Sequence, residues 1–179
     1  MNHDSYPADY IRGILHSVKV IAMVGASSNV VRSSYLVMQY LLSKGYDVIP
    51  VNPGLTGQEL QGKMVYGKLK DIPQAIDMVD IFRNSDAAGA IVDEALTLTP
   101  LPSVIWMQLS VRDDAAAMRA EAVGVKVVMN RCPKMEYGKQ SGEWAWVGGN
   151  SGILSSRRQS MHESGKMQSL GLGVIPTKR

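Results

Sequence analysis

Gly25-Ala26-Ser27-Ser28 is the stretch whose residue types and placement can do chemistry. The apolar run Val20-Ile21-Ala22-Met23-Val24 leads straight into it, and a helical pattern follows, with Tyr35, Met38, Leu41 and Leu42 spaced for one face. A strand, a tight turn of small residues and a helix N-terminus together make a cradle for an anion, because free backbone N–H groups and the helix dipole both point at it. The spacing therefore predicts a phosphate, and with it a nucleotide-bearing ligand. Arg32, at the start of the following helix, either adds a charge-assisted bond to that phosphate or is a solvated surface arginine.

Further candidates stand at the ends of other apolar runs: Asn52-Pro53, Phe82 to Ser85, Gln108 to Ser110, and Asn130 to Pro133. Arg83 is a second cation for the same ligand. Pro53, Phe82 and Leu109 offer an apolar wall of the kind a nucleotide base needs. Asn52 is either a turn residue before proline or a neutral neighbour for a ribose. Asn84 and Ser85 are helix-capping types that can also face the site. Tyr35 and Trp106 are read as core. Cys132 is the tempting nucleophile, since Arg131 beside it lowers a thiol's pKa, but free cysteine is commonly a small buried residue, and that is the reading taken. His3 lies in a terminus expected to fray, His16 on a leading helix and His162 in the tail, so no catalytic His–carboxylate–nucleophile set is expected. No metal-ligand cluster is expected either.

The elements that must position these residues alternate. Ile11, Ile14, Leu15 and Val18 predict a short amphipathic helix after Pro7. Strands are expected over 19–24, 47–51, 78–83, 104–109 and 125–129. Helices are expected over 33–44, 86–98 and 113–123, and 54–72 reads as a glycine-bearing loop with a short strand or helical turn. This order predicts an α/β fold: a Rossmann-like, doubly wound, mainly parallel five-stranded sheet with helices on both faces. Ligands of such sheets lie at the carboxyl ends of the strands, where every candidate above sits. Residues 1–137 are read as this domain and 138–179 as a partly irregular C-terminal extension carrying Trp144, Trp146 and Arg157-Arg158.

Composition narrows the classes. The chain has 179 residues and a net charge of +3, from 19 Lys and Arg against 16 Asp and Glu, too mild a balance to argue for nucleic acid. No apolar run approaches the roughly 20 residues that span a bilayer, so no membrane is expected. One cysteine makes no intramolecular disulfide, and the start of the chain lacks a basic and then apolar leader, so the cytoplasm is expected.

The dinucleotide fingerprint requires G-x-G-x-x-G and an acid about 20 residues on. Here only the first glycine is present, in Gly25-Ala26-Ser27-Ser28-Asn29-Val30, and Asn52-Pro53 stands where the acid belongs. The P-loop pattern is absent as well. Val24-Gly25-Ala26-Ser27, Arg32-x-Ser34-Tyr35, Val48 to Pro53, Asp80 to Ser85, Trp106 to Leu109 and Arg131-Cys132-Pro133 stand in an order that resembles the freestanding CoA-binding domain family. That family is itself similar to the N-terminal domain of the succinyl-CoA synthetase alpha subunit. The resemblance covers roughly residues 10–136; Asn130 and Ser110 depart from it, standing where relatives usually have Asp and often Gly.

The resemblance implies coenzyme A or an acyl-CoA held across the strand ends, without catalytic residues of the chain's own. The residues implied are Gly25, Ala26, Ser27, Ser28, Arg32, Asn52, Pro53, Phe82, Arg83, Asn84, Ser85, Gln108 and Leu109. The alternatives are a component of an acyl-CoA ligase, an NAD(P)-binding oxidoreductase-like enzyme, or an interaction protein that meets a second copy or a partner subunit through the C-terminal extension.

Overall fold

The computed structural model describes residues 1–142. In chain order the elements are α1 (Ala8–Ser17), β1 (Val20–Val24), α2 (Ser33–Ser43), β2 (Asp47–Val51), the two-residue strands β3 (Glu59–Leu60) and β4 (Lys63–Met64), β5 (Met78–Ile81), α3 (Ser85–Ala95), β6 (Val104–Met107), α4 (Asp114–Ala122), β7 (Lys126–Val128) and α5 (Pro133–Ser141). Five strands pair in parallel in the order β2-β1-β5-β6-β7, while β3 and β4 form a small antiparallel hairpin. This is the expected doubly wound α/β architecture, with its topological switch between β1 and β5.

Strands buried on both faces need apolar residues at every position, and Ile21, Ala22, Met23, Ile105, Trp106 and Met107 are all fully buried. Side chains alternate between faces. Ile21, Met23, Met78, Trp106 and Val128 pack under α1, α2 and α5 with Ile14, Leu15, Val37, Met38 and Leu41. Ala22, Val79, Ile81, Ile105 and Val127 pack under α3 and α4 against Ala88, Val92, Ala116 and Ala120. Alanine faces on α3 and α4 let those helices lie close to each other and to the sheet.

Several boundaries differ from those read in the sequence. β5 and β6 stop at Ile81 and Met107 rather than at 83 and 109. Their last ladder bonds run from Phe82 N–H to Val24 O (2.8 Å) and from Gln108 N–H to Ile81 O (3.2 Å), after which the chain turns into loops. The buried face of α2 is Ser34, Val37, Met38 and Leu41; Tyr35 and Leu42 are only half-buried on its flank. The helix α5 has no counterpart in the expected elements. It is polar nearly all round and buries only Pro133 and Gly138, so it carries no apolar stripe to read. Its signature was Pro133 at the first helical position and Gly142 just past the end.

The N-terminal segment is anchored rather than frayed. His3 is buried, its Nδ1 lies 2.9 Å from the Tyr6 hydroxyl, and Glu121 stands 3.4 Å from its Nε2. Tyr6 in turn accepts the Met129 N–H at 2.7 Å and stacks on Tyr10.

Candidate functional site

The chain leaves β1 through Gly25, and the backbone there has φ +92°, a conformation open to glycine and strained for other residues. A Cβ at this position would lie 3.1 Å from Arg83 Cδ and 3.2 Å from the Phe82 carbonyl carbon. The glycine thus lets the β1 turn lie against the end of β5, which closes the switch point into a continuous lip. Asn52 fixes this turn from the other side. Its Nδ2 donates to Ala26 O at 2.7 Å and its Oδ1 accepts the Gly54 N–H at 2.9 Å. Asn52 is thus a turn residue, and it also lines the cleft as a neutral side chain.

The turn runs to the helix start read in the sequence. Ser27 Oγ accepts the Asn29 N–H, Asn29 Oδ1 accepts the Val31 N–H, and α2 begins only at Ser33 with Arg32 at the capping position. The first helical amides, those of Ser33 and Ser34, have no carbonyl one turn back in the helix. Ser34 is 5 % exposed and lines the cleft.

These groups open on a cleft of about 840 Å³ at the carboxyl edge of the sheet. Gly25, Ala26, Ser27, Arg32, Asn52, Phe82, Arg83, Asn84, Gln108 and Leu109 line it together. Three expected residues do not. Ser28 is exposed on the outer side of the turn, and Pro53 starts an exposed single helical turn that leads away from the cleft. The Ser85 hydroxyl is taken by the Arg112 N–H at 3.0 Å and ties α3 to the loop after β6. Asn84 occupies the capping position of α3 without bonding its amides through the side chain. Of the remaining strand-end candidates Cys132 lines the cleft, whereas Ser110, Asn130, Arg131 and Pro133 do not, and the structure adds Ser33, Ser34, Leu36, Val37, Val111, Lys134 and Met135. Lys134 and Met135 were missed because they belong to the helix α5, whose one clear sign was Pro133.

The charge of this lining is one-sided. Among the described residues, Arg32, Arg83 and Lys134 face the cleft, and no Asp or Glu does. Arg32 and Arg83 have no carboxylate partner among the described residues, whereas Arg112 pairs with Asp4 and Asp114, and Arg119 with Asp93. Cys132 is buried; burial, and secondarily the charge of Asp80, push its thiol up, which opposes a nucleophilic role. Trp106 is core as expected, with its indole N–H donating to Arg131 O at 2.8 Å. The two departures noted in the sequence are coupled: Ser110 and Asn130 both adopt positive φ, and Asn130 Oδ1 accepts the Ser110 N–H at 2.9 Å.

A family model described as a CoA binding domain matches residues 19–138. The chain belongs to this family. The uncharacterized protein YneT of Bacillus subtilis is 35% identical over 127 residues, 71% of this chain and 91% of YneT. Prb, the PH1109 protein redesigned for binding, has a crystal structure that superposes with a TM-score of 0.72 at 37% identity, over 77% of this chain and 94% of that one. A dinucleotide-forming acetyl-coenzyme A synthetase 1 of Ca. Korarchaeum cryptofilum, solved with phosphate and ADP, superposes at 0.53 and 26% identity over 61% of this chain. The matched region is only 25% of that synthetase. The CoA binding domain of the present chain thus includes the whole parallel sheet and all the cleft-lining residues. Among the described residues, no helix is long and apolar enough to cross a membrane.

Proposed function

We propose that this chain binds coenzyme A or an acyl-CoA at the carboxyl edge of its sheet and performs no chemistry on it. The observation that carries the reading is the acid-free, three-cation lining of the cleft at the switch point. Coenzyme A presents a diphosphate, a 3′-phosphorylated ribose and a neutral arm. The Ser33 and Ser34 amides, the Ser27 and Ser34 hydroxyls and the Arg32 guanidinium suit the diphosphate. Asn52, in place of an acid, leaves room for an extra ribose phosphate instead of repelling it. Phe82, Leu109, Leu36 and Met135 supply apolar surface for adenine or the arm.

The non-catalytic part of the proposal is supported by the titratable groups that line the cleft. Among the described residues they are two arginines, a lysine and a thiol raised by burial, with neither a carboxylate nor a histidine for general acid–base work. The resemblance carries no ATP-binding partner and no phosphorylated histidine, so the ligase reading is not favoured. We place the protein in the cytoplasm, where a lone thiol stays reduced. Calorimetric titration with CoA, acetyl-CoA, NAD and NADP tests the reading. Binding of a CoA species well ahead of both dinucleotides is expected, and preference for NAD or NADP would overturn it.

A further inference from the structure

Asp80 is the buried charge-bearing group that the CoA site as described does not use. It stands in the middle of β5, in register with Met23 of β1 and Trp106 of β6, and is fully buried. Alternation puts its carboxyl on the face covered by α1, α2 and α5. Gln108 follows Trp106 by two residues, on the same face and one step nearer the cleft it lines. Gln108 Nε2 approaches Asp80 Oδ1 at 2.9 Å and Oδ2 at 3.1 Å. An ionised carboxyl only accepts hydrogen bonds, and a glutamine amide donates from nitrogen and accepts at oxygen. With the nitrogen held by Asp80, the oxygen is the atom left for the cleft.

We propose that Asp80 orients Gln108 so that the floor of the cleft offers a hydrogen-bond acceptor, Gln108 Oε1, to a donor on the pantetheine arm of the ligand. This rests on the CoA reading above and adds to it which end of the ligand the β6 side reads. The cleft runs from Asn52 beyond β2 to Lys134 and Met135 on α5. A diphosphate anchored at the β1 turn and the start of α2 therefore leaves the arm to cross β5 and β6, over Gln108. Three donor types exist there, the pantoyl hydroxyl, the amide N–H groups of the arm and its terminal thiol. A carbonyl placed against Oε1 would meet a second acceptor in a buried setting, where an unmatched polar contact is costly.

Protonation of Asp80 reverses this geometry. Burial pushes the Asp80 carboxyl up to about 7, against the lowering bond from Gln108. A protonated Asp80 can donate to Gln108 Oε1 and turn the amide nitrogen toward the cleft. The titratable group that feels Asp80 from α5 is Cys132, whose thiol is itself raised and stays neutral across that range. Met23 and Trp106, beside Asp80 in the sheet, do not titrate.

The test uses the full chain and three probes: CoA, acetyl-CoA and 3′-phospho-ADP, which keeps the phosphates and lacks the arm. Asp80→Asn and Gln108→Leu are each expected to weaken CoA binding about tenfold or more, the scale of one lost hydrogen bond, and to leave 3′-phospho-ADP within about twofold. Retained 3′-phospho-ADP binding also reports that each variant is folded. Wild-type CoA affinity should fall between pH 8 and pH 6 relative to Asp80→Asn. Acetyl-CoA bound as tightly as CoA assigns the donor to an amide or the hydroxyl of the arm; weaker acetyl-CoA assigns it to the thiol. Equal losses for CoA and 3′-phospho-ADP, or no loss for CoA, would overturn the orientation role. If wild-type protein binds neither probe, the CoA reading itself falls.

Discussion

The two edges of the sheet are built to opposite specifications. At the amino edge the protein satisfies its own polar groups. Asp77 Oδ2 accepts the N–H groups of Lys19 and Val20 at 2.8 and 2.9 Å, and Asp47 accepts from Lys63 and Gln74. At the carboxyl edge the corresponding groups have no such partners among the described residues: two guanidiniums without carboxylates, helix-start amides, a turn at Gly25 that only glycine adopts without strain, and a positive φ at Ser110. Both edges have the same strands and the same ladder. On the function proposed above the difference has a reason: the amino edge finishes the fold, and the carboxyl edge holds its polar groups ready for an anionic ligand.

The largest expected effect separates the two edges by one glycine each. Gly25→Val adds a branched side chain against Phe82 and Arg83 at positive φ and should cost about 3–5 kcal/mol by urea denaturation, with CoA binding lost. Gly124, before β7 at the amino edge, has similar φ but open space around it, so Gly124→Ala should cost only about 1–2 kcal/mol of backbone strain and spare binding.

Acid and base should then act on the edges with opposite sign. The raised Asp80 carboxyl stabilises the fold fully below its unfolded pKa, and that stability is lost as pH rises toward about 7. The loss is at most about 4 kcal/mol by linkage, and Asp80→Asn should remove it from a pH series of thermal melts. Asp47 is held below the usual carboxylate range by its bonds to Lys63 and Gln74. Its contribution is present above the ordinary Asp pKa and is lost as pH falls below it, a slope that Asp80→Asn should leave in place.

Next come changes that split binding from stability. Arg32→Ala should weaken CoA by about 1.5–3 kcal/mol, the worth of a charged hydrogen bond, and leave the urea midpoint nearly unchanged because the side chain is exposed and unpaired. Asp77→Ala should do the reverse, costing about 1–3 kcal/mol of stability through two orphaned amides with CoA affinity intact. The smallest effect belongs to Ser110→Gly, which relieves a positive φ and should raise stability by about 1 kcal/mol.

The sequence displayed the sheet plainly, because strands buried on both faces must be apolar throughout, and Val20–Val24 and Val104–Met107 are. It displayed the turn at Gly25 and the strand-end residues Asn52, Phe82, Arg83 and Gln108 for the same reason: apolar runs stop where the cleft begins. It hid α5, whose burial rests on Pro133 and Gly138 rather than on a stripe, and with it Lys134 and Met135. It also hid His3, whose burial depends on Glu121 and Tyr6 meeting it from distant and near parts of the chain. The Asp80–Gln108 pair lies 28 residues apart in sequence and meets only through sheet register. Trp144, Trp146 and Arg157-Arg158, read as a docking extension, lie outside the described residues.

The central claim is that the carboxyl edge seats the phosphates of coenzyme A. Titrating ¹⁵N-labelled protein with CoA and following backbone amides tests it most directly. The account predicts saturable shifts at Ser27, Ser33, Ser34 and Arg83, with Lys19, Val20 and Lys126 at the amino edge unmoved. Shifts centred on the amino edge, or none at millimolar CoA in folded protein, would contradict it.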